Sequence, residues 1–299
     1  MIADALLWEL DSLKIPYEKG YCLKGACTFR IGGVTPLAVF PKSEEQLMQS
    51  VCLLDRHGVE CHVVGRGSNT LFSDGELKCA IIFTRDVDAV RINGTTVDCG
   101  AGVGLMTLAS LMCRSALTGL EFACGIPGSV GGALFMNAGA HGGAMENVVS
   151  QSRAYNRKSG EIEIVTDHSF GYRKSIYMIR PELVCLGATL KLEGGCEDDI
   201  RARMRSLLET RREKQPLEFP SAGSYFKRPE GDFAGRLIEV CGLKGARVGD
   251  AQVSEKHAGF IINRGNADFN DVMELETLVR HTVLERTGVL LQREVEIVK

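Results

Sequence analysis

An α+β or mixed α/β fold is predicted, on three observations. Strand and helix patterns are interspersed without a sustained βαβ period. Two glycine-rich loops interrupt them, Gly65-Arg66-Gly67-Ser68-Asn69 and Gly125-Ile126-Pro127-Gly128-Ser129-Val130-Gly131-Gly132. After Leu192 the character changes, as Gly194-Gly195 and an acidic patch lead into a highly charged stretch. The 299 residues are enough for two or three subdomains with substantial cores. The expected division is a first module of about 1–194, made of subdomains of about 1–83 and 84–194, and a second module of about 195–299.

Taken in order, Ser43 followed by Glu44, Glu45 and Gln46 reads as a capping box. It opens a helix with Leu47, Val51 and Leu54 on one face, which stops near Gly58. Cys61 to Val64 is a strand entering the first glycine loop, and Cys79 to Phe83 is a further apolar strand. Val87 to Ile92 and Thr95 to Cys99 flank Asn93-Gly94, a strong hairpin signal. Leu105, Leu108, Ala109, Met112 and Ala116 have helical spacing and read as core. Ile162 to Val165 and Leu183 to Leu192 add strands. A charged helix from Asp198 to Lys214 ends at Pro216, and its basic run reads as a solvated face. Helices follow at Asp232 to Cys241 and Asp271 to Arg286, the second with Asn270 as its cap. Between them Ala258 to Asn263 has a buried-strand pattern, and Glu294 to Val298 is the last strand.

Composition narrows the function classes. Hydrophobic content of 44% and charged content of 24% are those of a globular protein. A formal charge of −3 gives no electrostatic footprint for nucleic acid. No stretch approaches the roughly 18 apolar residues of a membrane helix, and the N-terminus lacks a secretory signal pattern. Neither a nucleic-acid nor a membrane partner is expected. The 11 cysteines sit mostly alone in apolar runs, without a C-x-x-C pair, and the six histidines do not cluster. Buried reduced thiols of a cytoplasmic enzyme are expected, and no metal site.

Glycine lets backbone approach a ligand and take positive φ, so that consecutive N–H groups converge on an anion. Two such loops about sixty residues apart favour a nucleotide cofactor with a pyrophosphate over ordinary tight turns. Neither is a standard motif. No Gly-Lys-Ser/Thr opens a helix, Thr70 stands where a dinucleotide fingerprint needs its third glycine, and Gly100-Ala101-Gly102-Val103-Gly104 fails the spacing. A kinase or an ordinary nicotinamide dehydrogenase is disfavoured.

Three polar sites offer chemistry, each with an ordinary alternative. Arg173, in Phe170-Gly171-Tyr172-Arg173-Lys174-Ser175, can grip a carboxylate bidentately or simply form a surface ion pair. Ser224, in Ser221-Ala222-Gly223-Ser224-Tyr225-Phe226-Lys227-Arg228, is a proton donor or a turn serine, with no His or Asp partner in sequence for a hydrolase triad. Glu294 and Glu296 fall on one face of the last strand, functional only if that strand returns to a cleft.

Six ordered motifs, Thr28-Phe29-Arg30-Ile31-Gly32-Gly33, the two glycine loops, Tyr172-Arg173, Gly223-Ser224-Tyr225-Phe226-Lys227 and Glu294-Val295, carry a resemblance across nearly the whole chain. The chain closely resembles the UDP-N-acetylenolpyruvoylglucosamine reductases, flavoenzymes of bacterial peptidoglycan precursor synthesis. The resemblance implies a two-subdomain FAD-binding module of the vanillyl-alcohol oxidase type, followed by an α/β substrate-binding domain. It implies noncovalent FAD lying between the halves of the first module, its pyrophosphate on the two glycine loops. NADPH is the implied reductant and a UDP-sugar the implied substrate; a monomer is expected. The implied cofactor contacts are Gly32, Gly65, Arg66, Gly67, Ser68, Asn69, Gly100, Ala101, Gly128, Ser129, Gly131, Gly132, Ala138 and Gly139.

By the same resemblance, hydride from the reduced flavin N5 reaches the vinyl carbon of an enolpyruvyl ether. Arg173 and Glu294 then stabilise the enolate-like intermediate, and Ser224 protonates it. Glu294 serves there only as a hydrogen-bond donor, so its pKa is expected to be raised by burial. An unchanged pH–rate profile in Glu294→Gln would contradict that. Tyr172, Lys227, Arg228, His257 and Asn263 are the implied substrate contacts, the cations facing the diphosphate. Gln292-Arg293 replaces a frequent Glu-Pro, and His141 a frequent tyrosine. The short interval from Arg173 to Ser224 resembles the subclass without a tyrosine-bearing insertion. Another FAD oxidoreductase of the same cofactor fold, acting on a hydroxy acid or lactone, and a nucleotide-sugar-binding regulator without turnover remain alternatives.

Overall fold

Parallel strands under two helices begin the chain in the computed structural model, which describes residues 2–299. Packing divides these residues into two units. One holds the chain to Gly20, Pro36–Arg66 and Cys79–Thr210; the other holds Tyr21–Thr35, Gly67–Lys78 and Arg211–Lys299. The sequence division draws a single boundary at about 194, whereas two short N-terminal segments pack with the C-terminal residues. Glycine lets those two segments meet each other: a Cβ on Gly33 would overlap the Gly75 backbone, and one on Gly67 would lie 2.6 Å from the Ala26 carbonyl oxygen.

In the first unit, the end of strand Val34–Val39 from Pro36 onward and strand Cys61–Val64 both pair in parallel with Ala80–Phe83, whose four residues are all buried. A strand covered on both faces reads as such a continuous apolar run. Helices α1 (Asp4–Ser12) and α2 (Glu44–Arg56) pack on this sheet, with Leu6, Leu10, Leu47, Val51, Leu54 and Ile82 in one core. The Ser43 hydroxyl accepts from the Gln46 amide at 3.1 Å, as the sequence predicts. The Gln46 side chain reaches back to the Lys42 N–H at 2.9 Å, one residue short of a reciprocal box.

A five-stranded antiparallel sheet follows, in the order Glu161–Val165, Val149–Asn156, Leu183–Lys191, Thr96–Gly100, Val90–Asn93. The Asn93-Gly94 hairpin forms with Asn93 opposite Thr96, but its first strand starts at Val90 because Thr84–Asp86 is a short 3-10 turn. Val184 and Leu186 face the α2 core, while Ala188 and Leu190 face a second core under α3 (Leu105–Arg114) and α4 (Val130–Met136). Same-parity residues face opposite ways because a bulge intervenes: Arg153 pairs with Gly187 but Ala154 with Cys185. After the single turn α5 (Ile176–Ile179), helix α6 (Glu197–Lys214) carries the chain out of the first unit.

The second unit is built on an antiparallel sheet, Ser221–Ser224, Phe260–Asn263, Ala251–Val253, Arg247–Val248. With it are α7 (Ala234–Val240) and α8 (Phe269–Thr287), whose Val272, Leu275, Val279 and Val283 are fully buried. The α8 cap is Asp268 rather than the expected Asn270, which lies inside the first turn. Asp268 accepts from the Asp271 N–H at 2.8 Å, and Asp271 from the Asp268 N–H at 3.2 Å. The last strand is Glu296–Val298, parallel to Thr70–Phe72. Glu294 precedes it and is buried while Glu296 is exposed, so the two do not share a strand face. The cause is local: the Glu294 N–H bonds to the Tyr225 carbonyl beside the Phe226–Arg293 bridge, whereas Glu296 pairs with Thr70. No helix among the described residues is long and apolar enough to cross a membrane.

Candidate active site

Ser224 and Glu294 become neighbours within the second unit. The Tyr225 N–H donates to the Gly259 carbonyl at 2.8 Å, and the Tyr225 carbonyl accepts the Glu294 N–H at 2.8 Å. With the Lys227 N–H donating to the Gln292 carbonyl at 2.8 Å, that second bond closes an antiparallel bridge between Phe226 and Arg293. The strand carrying Ser224 is bulged, with Ser221 opposite Ile262 and Ser224 opposite Phe260, and Gly223 takes φ +78°. Such a bulge re-aims the side chain that follows it. Ser224 is exposed, whereas Glu294 is only 9% exposed. Asn69 holds Glu294 from the other side, its side-chain amide donating to the Glu294 carbonyl at 3.0 Å while its own carbonyl accepts the Glu296 N–H at 2.9 Å.

Arg173 belongs to the first unit. Tyr172 and Arg173 form the tip of a tight turn closed by two bonds of 3.1 Å between the Gly171 and Lys174 backbones. Arg173 is half-buried, with φ +53° and its guanidinium 5.2 Å from the centroid of the exposed Tyr172 ring. A non-glycine residue held left-handed costs about 1 kcal/mol or more and points to a constraint on its side chain. Buried polar groups anchor both ends of this turn. The Asn137 amide donates to the Gly171 carbonyl at 3.0 Å, and the Ser175 hydroxyl to the Phe135 carbonyl at 2.8 Å. Beneath lies a buried cluster in which Ser152 Oγ is 2.8 Å from His168 Nε2 and 2.7 Å from the Tyr177 hydroxyl. Burial lowers the His168 pKa and raises that of Tyr177, so both stay neutral hydrogen-bonding groups.

The two glycine loops differ in what they leave open. Among the described residues, none of the amides from Gly65 to Asn69 donates to a protein acceptor, which leaves donors of the kind that hold a phosphate. In the second loop the Val130 N–H goes to the Val103 carbonyl at 2.9 Å, the Gly131 N–H to the Ala101 carbonyl at 2.8 Å, and the Gly132 N–H to Ser129 Oγ at 3.4 Å. The amides of residues 130–132 are thus bonded internally, and Gly131 serves close packing. A Cβ on Gly131 would lie 3.0 Å from that of Ala101, and one on Gly65 would overlap Ser129 Oγ. Gly128 offers its carbonyl to the Leu105 N–H at 3.0 Å, and Gly100 donates to the Ala89 carbonyl at 3.0 Å. Ala138 and Gly139 lie in a tight hairpin against residues 143–144, with the exposed His141 at its turn in φ +53°. Gly32, in the second unit, is needed beside Phe72, whose Cβ would be 2.9 Å from an added one.

The remaining expected contacts all lie in the second unit apart from Tyr172. Lys227 is half-buried, and the Arg228 guanidinium sits 4.7 Å from the centroid of the Phe233 ring. His257 Nδ1 accepts the Gly259 N–H at 3.1 Å, and burial lowers its pKa, so it presents a neutral ring rather than the expected cation. Asn263 is a brace: its amide donates to the Phe29 carbonyl at 3.2 Å, and its oxygen accepts the Gly265 and Ala267 amides at 2.9 and 3.0 Å. Sequence reading passes over Asn137, although an asparagine ahead of Ala-Gly is a signal for the left-handed helix cap that it forms, at φ 42°.

Comparison with known proteins covers both units. The profile described as UDP-N-acetylenolpyruvoylglucosamine reductase, C-terminal domain, matches residues 215–298, and that of the FAD binding domain matches residues 35–166. The reductase of that name from Caldicellulosiruptor bescii is 42% identical over 97% of this chain and 93% of its own length. That from Clostridium novyi is 41% identical over 97% and 95%. The crystal structure of the reductase from Thermus caldophilus superposes with a TM-score of 0.80 at 32% identity, covering 95% of this chain and 99% of that one. The α+β class and the cofactor-module-first order expected from the sequence agree with these matches. At this identity and coverage, the chain belongs to the UDP-N-acetylenolpyruvoylglucosamine reductase family.

Proposed function

We propose that this protein reduces the enolpyruvyl ether of UDP-N-acetylglucosamine enolpyruvate to UDP-N-acetylmuramate. It uses noncovalent FAD and NADPH, acting as a cytoplasmic monomer in peptidoglycan precursor synthesis. Family membership over 97% of the chain supports the reading. The observation that carries it is the 2.8 Å bond from the Glu294 N–H to the Tyr225 carbonyl, which sets a hydroxyl residue and a carboxyl residue on adjacent backbone. The profile matches support a division of labour, with cofactor binding in the module of about 1–194 and substrate binding in that of about 195–299.

Bound FAD supplies hydride chemistry, relaying two electrons from NADPH. The unengaged amides of residues 65–69 would hold its pyrophosphate, with the exposed Arg66 guanidinium adding positive charge. Arg173 binds the substrate carboxylate and opposes the negative charge that develops when the double bond accepts hydride. Glu294 donates a hydrogen bond to that charge. Ser224 Oγ delivers the proton to the carbon bearing the carboxylate, so that hydride and proton together saturate the bond. Lys227 and Arg228 meet the diphosphate. His257 contributes a neutral hydrogen-bonding edge.

The test is direct. Purified protein is expected to show flavin absorbance, to be bleached by NADPH in preference to NADH, and to recover its colour on addition of the enolpyruvyl UDP-sugar. Bleaching without substrate-dependent recovery would exclude the reductase reading.

A further inference from the structure

Glu276, on α8 of the second unit, is a buried carboxylate that the reaction above leaves without a role, at 2% exposure among the apolar side chains of Val272, Leu275 and Val279. An ionised group so placed needs compensation, and three donors surround it. The Tyr225 hydroxyl lies 2.9 Å from Oε2, an Arg293 guanidinium nitrogen 3.0 Å from the same oxygen, and an Arg280 nitrogen 3.5 Å from Oε1. Tyr225 directly follows Ser224 and Arg293 directly precedes Glu294. One carboxylate therefore grips the immediate neighbours of both residues, which lie on segments more than sixty residues apart in sequence.

The grip extends along the C-terminal segment. Arg280 Nε donates to the Leu291 carbonyl at 3.1 Å, and Arg293 Nε donates to the Val295 carbonyl at 3.1 Å. The backbone on both sides of Glu294 is thus fastened to α8 through side chains that meet at Glu276. Tyr225 is 1% exposed, and burial, reinforced by the adjacent carboxylate, pushes its phenol pKa up, so its hydroxyl remains a donor. Arg293 stands where the resemblance led to a proline, which could not make this bond.

We propose that Glu276 is a positioning residue for the proton-delivery step, fixing the spacing of Ser224 and Glu294 through Tyr225 and Arg293. The inference rests on the reductase reading. A misplacement on the order of 1 Å at reacting groups costs about a hundredfold in rate, so a device that fixes two remote segments has a large effect to protect.

The test uses holoenzyme and separates the two half-reactions by flavin absorbance. Tyr225→Phe removes one oxygen and Glu276→Gln one charge; the first remains informative if the second fails to fold. Flavin reduction by NADPH is expected within twofold of wild type. Reoxidation by the enolpyruvyl UDP-sugar is expected to slow by roughly ten- to a hundredfold, in kcat rather than KM, with a larger solvent deuterium isotope effect. In a Ser224→Ala background the same changes are expected to add less than threefold, because residues acting as one unit are not additive. Variants that lose thermal stability yet reoxidise within twofold of wild type would overturn the proposal, as would losses that multiply with Ser224→Ala. A wild-type protein that never reoxidises with the sugar nucleotide would overturn the reductase reading itself, and this inference with it.

Discussion

Asn137 donates its side-chain amide to the Gly171 carbonyl at 3.0 Å, and its own oxygen accepts the Glu146 N–H at 3.1 Å. One buried residue in left-handed backbone conformation thereby ties the end of α4 to the turn that presents Arg173. Asn137→Gly keeps the backbone angle and deletes the tie. Leaving buried partners unsatisfied costs about 1–3 kcal/mol, and we expect a lower melting temperature together with slower substrate-dependent reoxidation. Reoxidation at the wild-type rate would show that the turn holds its shape without Asn137.

Ser224 sits exposed beyond a glycine bulge, where its hydroxyl can reach a ligand. Ser224→Ala is expected to retain flavin reduction by NADPH and lose roughly a hundredfold or more in reoxidation by the sugar nucleotide, the usual scale for a general acid. Stopped-flow absorbance separates the two rates. Normal reoxidation would remove Ser224 from the mechanism.

Gly65 touches the second glycine loop at a point where a Cβ would overlap Ser129 Oγ. Gly65→Ala forces the loops apart and disturbs the amides that follow it. Flavin content of the purified variant, read as the ratio of visible to ultraviolet absorbance, should fall several-fold. The Gly194→Ala control has open space around its Cβ position and no left-handed backbone angle, and it should keep its flavin. Equal flavin in both variants would contradict the role given to the first loop.

His168 and His257 both have pKa values lowered below the ordinary 6.5, primarily by burial. Above that value each is neutral whether the chain is folded or not, and neither contributes to pH dependence. As pH falls below 6.5 the unfolded chain takes up protons that the folded chain resists, so stability declines until the folded-state pKa values are reached. Melting temperature should therefore drop between about pH 6.5 and 5, before most carboxylates protonate. The double variant His168→Gln, His257→Gln should flatten that interval, measured by thermal melts across the range. An unchanged slope would assign the decline to other groups.

Local signals in the chain determined most of its elements. The Ser43 cap, the Asn93-Gly94 hairpin and the α3 spacing all form, because each depends on bonds or faces within a few residues. The motifs also determined the family, since six ordered motifs carry more information than any single turn. Tertiary structure alone decided three matters. It gave the amides of residues 130–132 partners within the first unit, because folding brings the Val103 and Ala101 carbonyls and Ser129 Oγ within hydrogen-bond reach of them. It placed Glu294 before the last strand, where the Tyr225 carbonyl takes its N–H. It also joined Tyr225 and Arg293 at Glu276, a pairing across dozens of residues that periodicity and spacing do not encode, because only the folded chain brings those donors to one buried carboxylate.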